Sequence, residues 1–234
     1  MATNIRIFAD RTSLIAEALK ICLETAAQKT RLAIALAGGN TPKPLYQALA
    51  QADTDWQKWH IFFGDERFVP HSDPQSNYRM VREAWLDHVP IPPAHIQPIP
   101  TDTSDPHLAS QQYEQTLCEF FGIGAGEFPH FDIVLLGMGE DGHTASLFPF
   151  TEALSVGDRL VTVGYKDGQP RITLTVPTIN HAEQIIFLVE GSSKAPALSA
   201  VLAETGDPQQ YPARLVSRQA LWLVDRAAAQ HLQS

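Results

Sequence analysis

The chain has 234 residues, enough for one substantial core, and its 44% hydrophobic and 18% charged residues are ordinary for a globular protein. A net charge of −9 argues against a general binder of nucleic acid or of an anionic membrane, so any anionic ligand must be held by a local cluster of cations. Cys22 and Cys118 are too few for a zinc site or a disulfide framework and read as buried free thiols; with no apolar leader and no run of membrane-spanning length, the expected location is the cytoplasm.

Short apolar runs alternate with helical patterns along the chain. Residues 5–9 read as a strand, and Asp10 as the cap of a helix whose apolar face is Leu14, Ala18, Ile21 and Cys22. Residues 32–37 form a buried strand that ends in Gly38-Gly39-Asn40-Thr41-Pro42. Thr41 suits the cap of the next helix and Pro42 its first position, with Leu45, Tyr46 and Leu49 behind them. A strand at 60–63 runs into the polar loop Asp65-Glu66-Arg67, and 76–86 reads as a helix. The proline-rich stretch 89–106 is an ordered surface connection, and 110–121 returns to a helix.

The central run, 131–136, ends in Gly137, Gly139 and Gly142, with Asp141 and His143 flanking the last glycine. A short helix stopped by Pro149 is expected behind this turn. Residues 160–163, 171–176, 185–189, 214–216 and 221–224 read as further strands, and 194–203 as a helix. Continuous apolar strands alternating with helices indicate one α/β domain over 1–234. Its expected form is a doubly wound, mostly parallel sheet of Rossmann type with helices on both faces. Loops at the carboxyl ends of the strands then build the site.

Four such loops carry the candidate chemistry. Asp141 and His143 form an acid/base pair if the carboxylate accepts the imidazole N–H. A helix N-terminus behind them would keep the ring neutral. A lone histidine is more often structural, and the turn, the neighbouring acid and the helix are what set His143 apart from His88, His95, His107 and His231. Gly38, Gly39 and Thr41 suit a phosphate, although the same spacing fits a plain strand-to-helix turn. Lys194 begins a helix, where a cation is unfavourable unless an anion joins it. Arg67 either faces the site or pairs with Asp65 or Glu66. Arg171 sits at a strand start, and Arg79, in Ser-Asn-Tyr-Arg, is a weaker candidate. Residues 137–142 also fit the dinucleotide fingerprint G-x-G-x-x-G. Pro149 denies that fingerprint its long helix, and the run 160–163 ends without its acid. Neither H-E-x-x-H nor G-x-S-x-G occurs, which argues against a zincin site and a hydrolase serine elbow.

The segments LAGGNTPKPLY, FFGDERFVP with SNYRM, FDIVLLGMGEDGHTASLFP, RITLTVPTIN and FLVEGSSKA occur in order across most of the chain. Together they resemble the glucosamine-6-phosphate isomerase/6-phosphogluconolactonase family. Deaminases of that family continue the turn as GHIAFNEP, with an acid after the histidine. Here GHTASLFP carries none before Glu152, which is similar to the lactonase side. The resemblance implies a deaminase/isomerase-type fold. It also implies hydrolysis of 6-phospho-D-glucono-1,5-lactone to 6-phospho-D-gluconate in the oxidative pentose phosphate pathway, with no metal or organic cofactor. In that reaction His143 is the general base, Asp141 orients it, and Arg67 meets the oxyanion or a ring hydroxyl. Gly38, Gly39, Thr41, Arg171 and Lys194, with Arg79 as an outlying candidate, hold the phosphate. The alternatives are a sugar-phosphate deaminase or isomerase on the same fold, and a non-catalytic sugar-phosphate-binding protein.

Overall fold

The computed structural model describes residues 4–216 and 220–232. β1 is Asn4–Phe8 and α1 is Arg11–Gln28. A capping box fixes the start of α1: the Asp10 carboxylate accepts from the Ser13 N–H at 2.9 Å, and the Asp10 N–H is bonded by the Ser13 hydroxyl. Leu14, Ala18 and Cys22 are buried along it, while Ile21 is only half-buried. After β2 (Leu32–Leu36), α2 is Lys43–Leu49 and starts one residue later than the sequence suggests. Pro42 takes the capping place without a side-chain bond. Thr41 instead donates to Glu190 Oε1 at 3.3 Å.

β3 (Trp59–Phe63), β4 (Asp65–Arg67) and α3 (Asn77–Ala84) follow, the last capped by Ser76. α4 is Pro106–Phe121, four residues longer at its start than its periodicity suggests, because Asp105 caps it and Pro106 suits its first turn. Next come β5 (Ile133–Leu136), β6 (Val161–Lys166), β7 (Gln169–Leu174) and α5 (Val176–Asn180). β8 (Gln184–Val189), α6 (Ala195–Leu202) and β9 (Leu221–Asp225) complete the order.

Six strands form one parallel sheet in the order β1-β9-β8-β5-β2-β3. From β2 the chain steps to β3 at one edge; from β5 it steps through β8 to β9 in the other direction. The reversal falls between β2 and β5, where a doubly wound sheet opens a crevice at its carboxyl ends. Both faces are covered, as β3 makes plain. Trp59 packs against Trp56 and Trp85, whereas Phe62, on the opposite side, packs against Phe120 of α4 and Phe131. Between β8 and β9 the paired Phe187 and Trp222 stack at 3.8 Å.

Three strands depart from the parallel reading. β4, β7 and β6 form a separate antiparallel sheet, so Asp65-Glu66-Arg67 is a strand rather than a loop. Asp167 and Gly168, at φ 52° and 76°, make the two-residue turn that joins β6 to β7, a connection open only to antiparallel strands. Residues 214–216 are not a strand either. Pro212–Leu215 is a 3₁₀ turn, pinned to the central loop by the Ala213 N–H donating to Gly142 O at 2.9 Å. No helix follows Gly142. Ala145 and Phe150 have φ of 47° and 59°, which a right-handed helix cannot include, and residues 144–147 close a tight turn instead. Cys22 is fully buried, and burial pushes its thiol up to about 12, while Cys118 is only half-buried. Among the described residues, no helix is long and apolar enough to cross a membrane.

Candidate active site

The crevice between β2 and β5 is a cleft with a cavity volume of about 190 Å³. The turn after β2, the β3–β4 junction, the turn after β5 and the segment before α6 all reach it, so the four loops do converge. Gly38, Thr41, Arg67, His143, Arg171 and Lys194 line it.

His143 and Asp141 meet within the turn. Asp141 Oδ1 lies 2.5 Å from His143 Nδ1 and also accepts the His143 backbone N–H at 3.1 Å. That contact assigns the proton to Nδ1 and leaves Nε2 as the basic nitrogen. Burial raises the Asp141 carboxyl, but the hydrogen bond and charge of the His143 ring outweigh it and hold the carboxyl well below the usual carboxylate range. Two glycines make the arrangement possible. A Cβ on Gly139 would fall 2.0 Å from His143 Nδ1 and 2.4 Å from Asp141 Oδ1. Gly142 has φ +76°, and a Cβ there would meet Tyr211 at 2.7 Å. The Phe148 ring packs against the imidazole, with centroids 4.7 Å apart.

β4 and β7 place Arg67 directly opposite Arg171. Like charges so paired repel. Neither guanidinium has a carboxylate within ion-pair distance among the described residues, and the Nε atom of each is buried without a partner. Burial, then the charge of Arg67, lowers the Arg171 guanidinium from its usual value. The expected alternative, a salt bridge from Arg67 to Asp65 or Glu66, is not formed; Arg67 Nη1 donates to Gln75 O at 2.5 Å. Glu66 is 1% exposed and serves the backbone instead. It accepts the N–H groups of Arg67, Asn77 and Tyr78 at 2.7, 2.7 and 2.8 Å, and the Ser76 hydroxyl at 3.0 Å. Burial raises its carboxyl, and those four bonds oppose the rise. The result is a rigid joint between β4 and the start of α3 that fixes Arg67.

The turn after β2 is shaped by Gly39, at φ +94°, and by Gly38, where a Cβ would lie 1.9 Å from Asn77 Oδ1. Gly39 therefore bends the turn without lining the cleft. Arg79 is not brought to the cleft: it pairs with Glu83 at 2.6 Å and donates to Ser72 O at 2.6 Å, on the outside of α3. Sequence reasoning misses Asn77 and Ser146. Asn77 Nδ2 donates to Asp65 O at 2.9 Å, and Ser146 Oγ donates to Asp65 Oδ2 at 2.6 Å. These pairings join residues 12 and 81 positions apart, and no local pattern signals them. Among the described residues, no group of three or more His, Cys, Asp or Glu side chains is placed to hold a metal ion.

The family model for glucosamine-6-phosphate isomerases/6-phosphogluconolactonase matches residues 9–224. Over the full length of both chains, the sequence is 52% identical to the 6-phosphogluconolactonase of Synechocystis sp.. It is 50% identical to that of Nostoc sp., over 99% of each chain. Among solved structures, the 6-phosphogluconolactonase from Trypanosoma cruzi superposes with a TM-score of 0.86 at 31% identity, covering 100% of this chain and 98% of that one. A monomeric glucosamine-6-phosphate deaminase, at 23% identity and a TM-score of 0.84 over 97% of this chain and 99% of that one, shares the fold. The chain belongs to the glucosamine-6-phosphate isomerase/6-phosphogluconolactonase family.

Proposed function

We infer that the chain is a lactone hydrolase that converts 6-phospho-D-glucono-1,5-lactone to 6-phospho-D-gluconate in the pentose phosphate pathway. Full-length identity to two 6-phosphogluconolactonases supports this. One structural observation carries it: an imidazole braced by a carboxylate shares a cleft with Arg67, Arg171 and Lys194, three cations with no carboxylate partner among the described residues. The place where the deaminase pattern has its acid is occupied by buried Leu147 and Phe148, which favours hydrolysis over ring-opening deamination.

In this reading His143 Nε2 takes a proton from water as the water oxygen attacks C1. Asp141 holds the ring in the right tautomer and stabilises the imidazolium. Arg67 faces the oxyanion that forms at C1. Collapse breaks the bond from C1 to the ring oxygen, and the imidazolium returns its proton to that oxygen. The new carboxylic acid then ionises. Lys194, Arg171, Thr41 and Gly38 hold the 6-phosphate and so set C1 against the base.

The test is pH-stat acid release from freshly made lactone, corrected for spontaneous hydrolysis. Wild type should release acid, and His143→Ala should lower kcat by about 10²–10⁴-fold with the fold intact. Near-wild-type turnover in the variant would remove His143 from the role of base. No release by folded wild type would overturn the lactonase reading.

A further inference from the structure

The His143 turn has no helix behind it, so the dipole that would favour a neutral imidazole is missing. The small sheet supplies positive charge in its place. Arg67 is paired with Arg171, Arg171 with Gly164, and Lys166 lies two residues beyond Gly164. Arg67, Arg171 and Lys166 therefore share one face of that sheet. Gly164 is the gap between them: a Cβ there would lie 2.2 Å from Ser146 O, so the loop after His143 lies down on this face. Phe148 is where the loop meets the cations. Lys166 Nζ is 5.3 Å and Arg171 Cζ 5.8 Å from its ring centre, and the same ring packs on His143 at 4.7 Å.

The charged neighbours of the imidazole are few. Its own turn carries Asp141 and the exposed Glu140. β4 brings Asp65 and Arg67 to the cleft, β7 brings Arg171, and the segment before α6 brings Lys194. Lys166, from β6, stands outside the cleft wall.

We propose that Lys166, seated on the Phe148 ring, is a positioning residue for the His143–Asp141 pair, its ammonium favouring carboxylate with neutral imidazole over imidazolium. This rests on the reading of His143 as the general base. Burial raises the Asp141 carboxyl and the His143 contacts lower it; the Lys166 charge adds to the lowering, which supports its reach.

The experiment is an NMR titration of the His143 ring in the substrate-free protein, for wild type, Lys166→Gln and Lys166→Arg, at low and high salt. Lys166→Gln should raise the ring's midpoint by about half a pH unit, and Lys166→Arg should restore it. Salt should raise the wild-type midpoint and move the Lys166→Gln midpoint less. The acid limb of kcat/KM should shift in step. An unchanged midpoint in Lys166→Gln, or an activity loss equal at every pH, would overturn the proposal. If Lys166→Gln does not fold, Lys166→Met is titrated in its place, and a midpoint equal to that of wild type rejects the proposal. The ring titration needs no substrate, so a failed lactonase assay on wild type is told apart from a failed role for Lys166.

Discussion

The six-stranded and three-stranded sheets meet at the cleft and are built differently. β2 and β5 are buried at every position, and their side chains are apolar throughout. β4 and β7 instead set Arg67 against Arg171, a pairing of like charges that weakens the sheet holding it and that an anionic ligand would relieve. One sheet supplies stability and the crevice; the other spends some stability to hold charge ready at the crevice wall.

Substitutions that separate these roles can break that division. Phe187→Ala should have the largest effect, about 3–5 kcal/mol of stability by denaturant unfolding, because it removes a ring stacked at 3.8 Å on Trp222. The kcat of the protein that remains folded should not change. Arg171→Gln should do the reverse: KM for the phosphorylated lactone rises about 10–100-fold, as expected for a lost charge-assisted hydrogen bond, while unfolding stability stays level or improves. A stability loss like that of Phe187→Ala would show that Arg171 is structural. The smallest effect belongs to Arg79→Ala, an exposed pair with Glu83, which should change stability by less than about 0.5 kcal/mol and leave KM alone. A raised KM would return Arg79 to the site.

The same division governs what can be read from the sequence. Strands buried on both faces are continuous apolar runs, so β2, β5 and β8 stand out, and the polar loops at their ends follow from them. In the small sheet, β6 and β7 are legible as the runs 160–163 and 171–176, but their antiparallel pairing is not, because its clearest mark, the Asp167–Gly168 turn, is only two residues long. The helix expected after Gly142 fails for a reason that no periodicity carries: Ala145 and Phe150 adopt positive φ, and between them Ser146 lies over Gly164. The joint of Glu66 with Ser76, Asn77 and Tyr78 is likewise set by tertiary contact. His143 and Asp141 are legible because both lie in one turn, and Lys194 because a cation at that position is out of place without an anion.

Gly139 gives the fingerprint match at residues 137–142 a different meaning. In a dinucleotide fold the second glycine leaves room for a pyrophosphate to approach the backbone. Here the same space is filled from within, by the imidazole and carboxylate of His143 and Asp141. Identical spelling thus serves two occupants, one a cofactor and one the protein's own side chains. A pattern search that reads only the glycines cannot separate them; the letters on either side of the third glycine do.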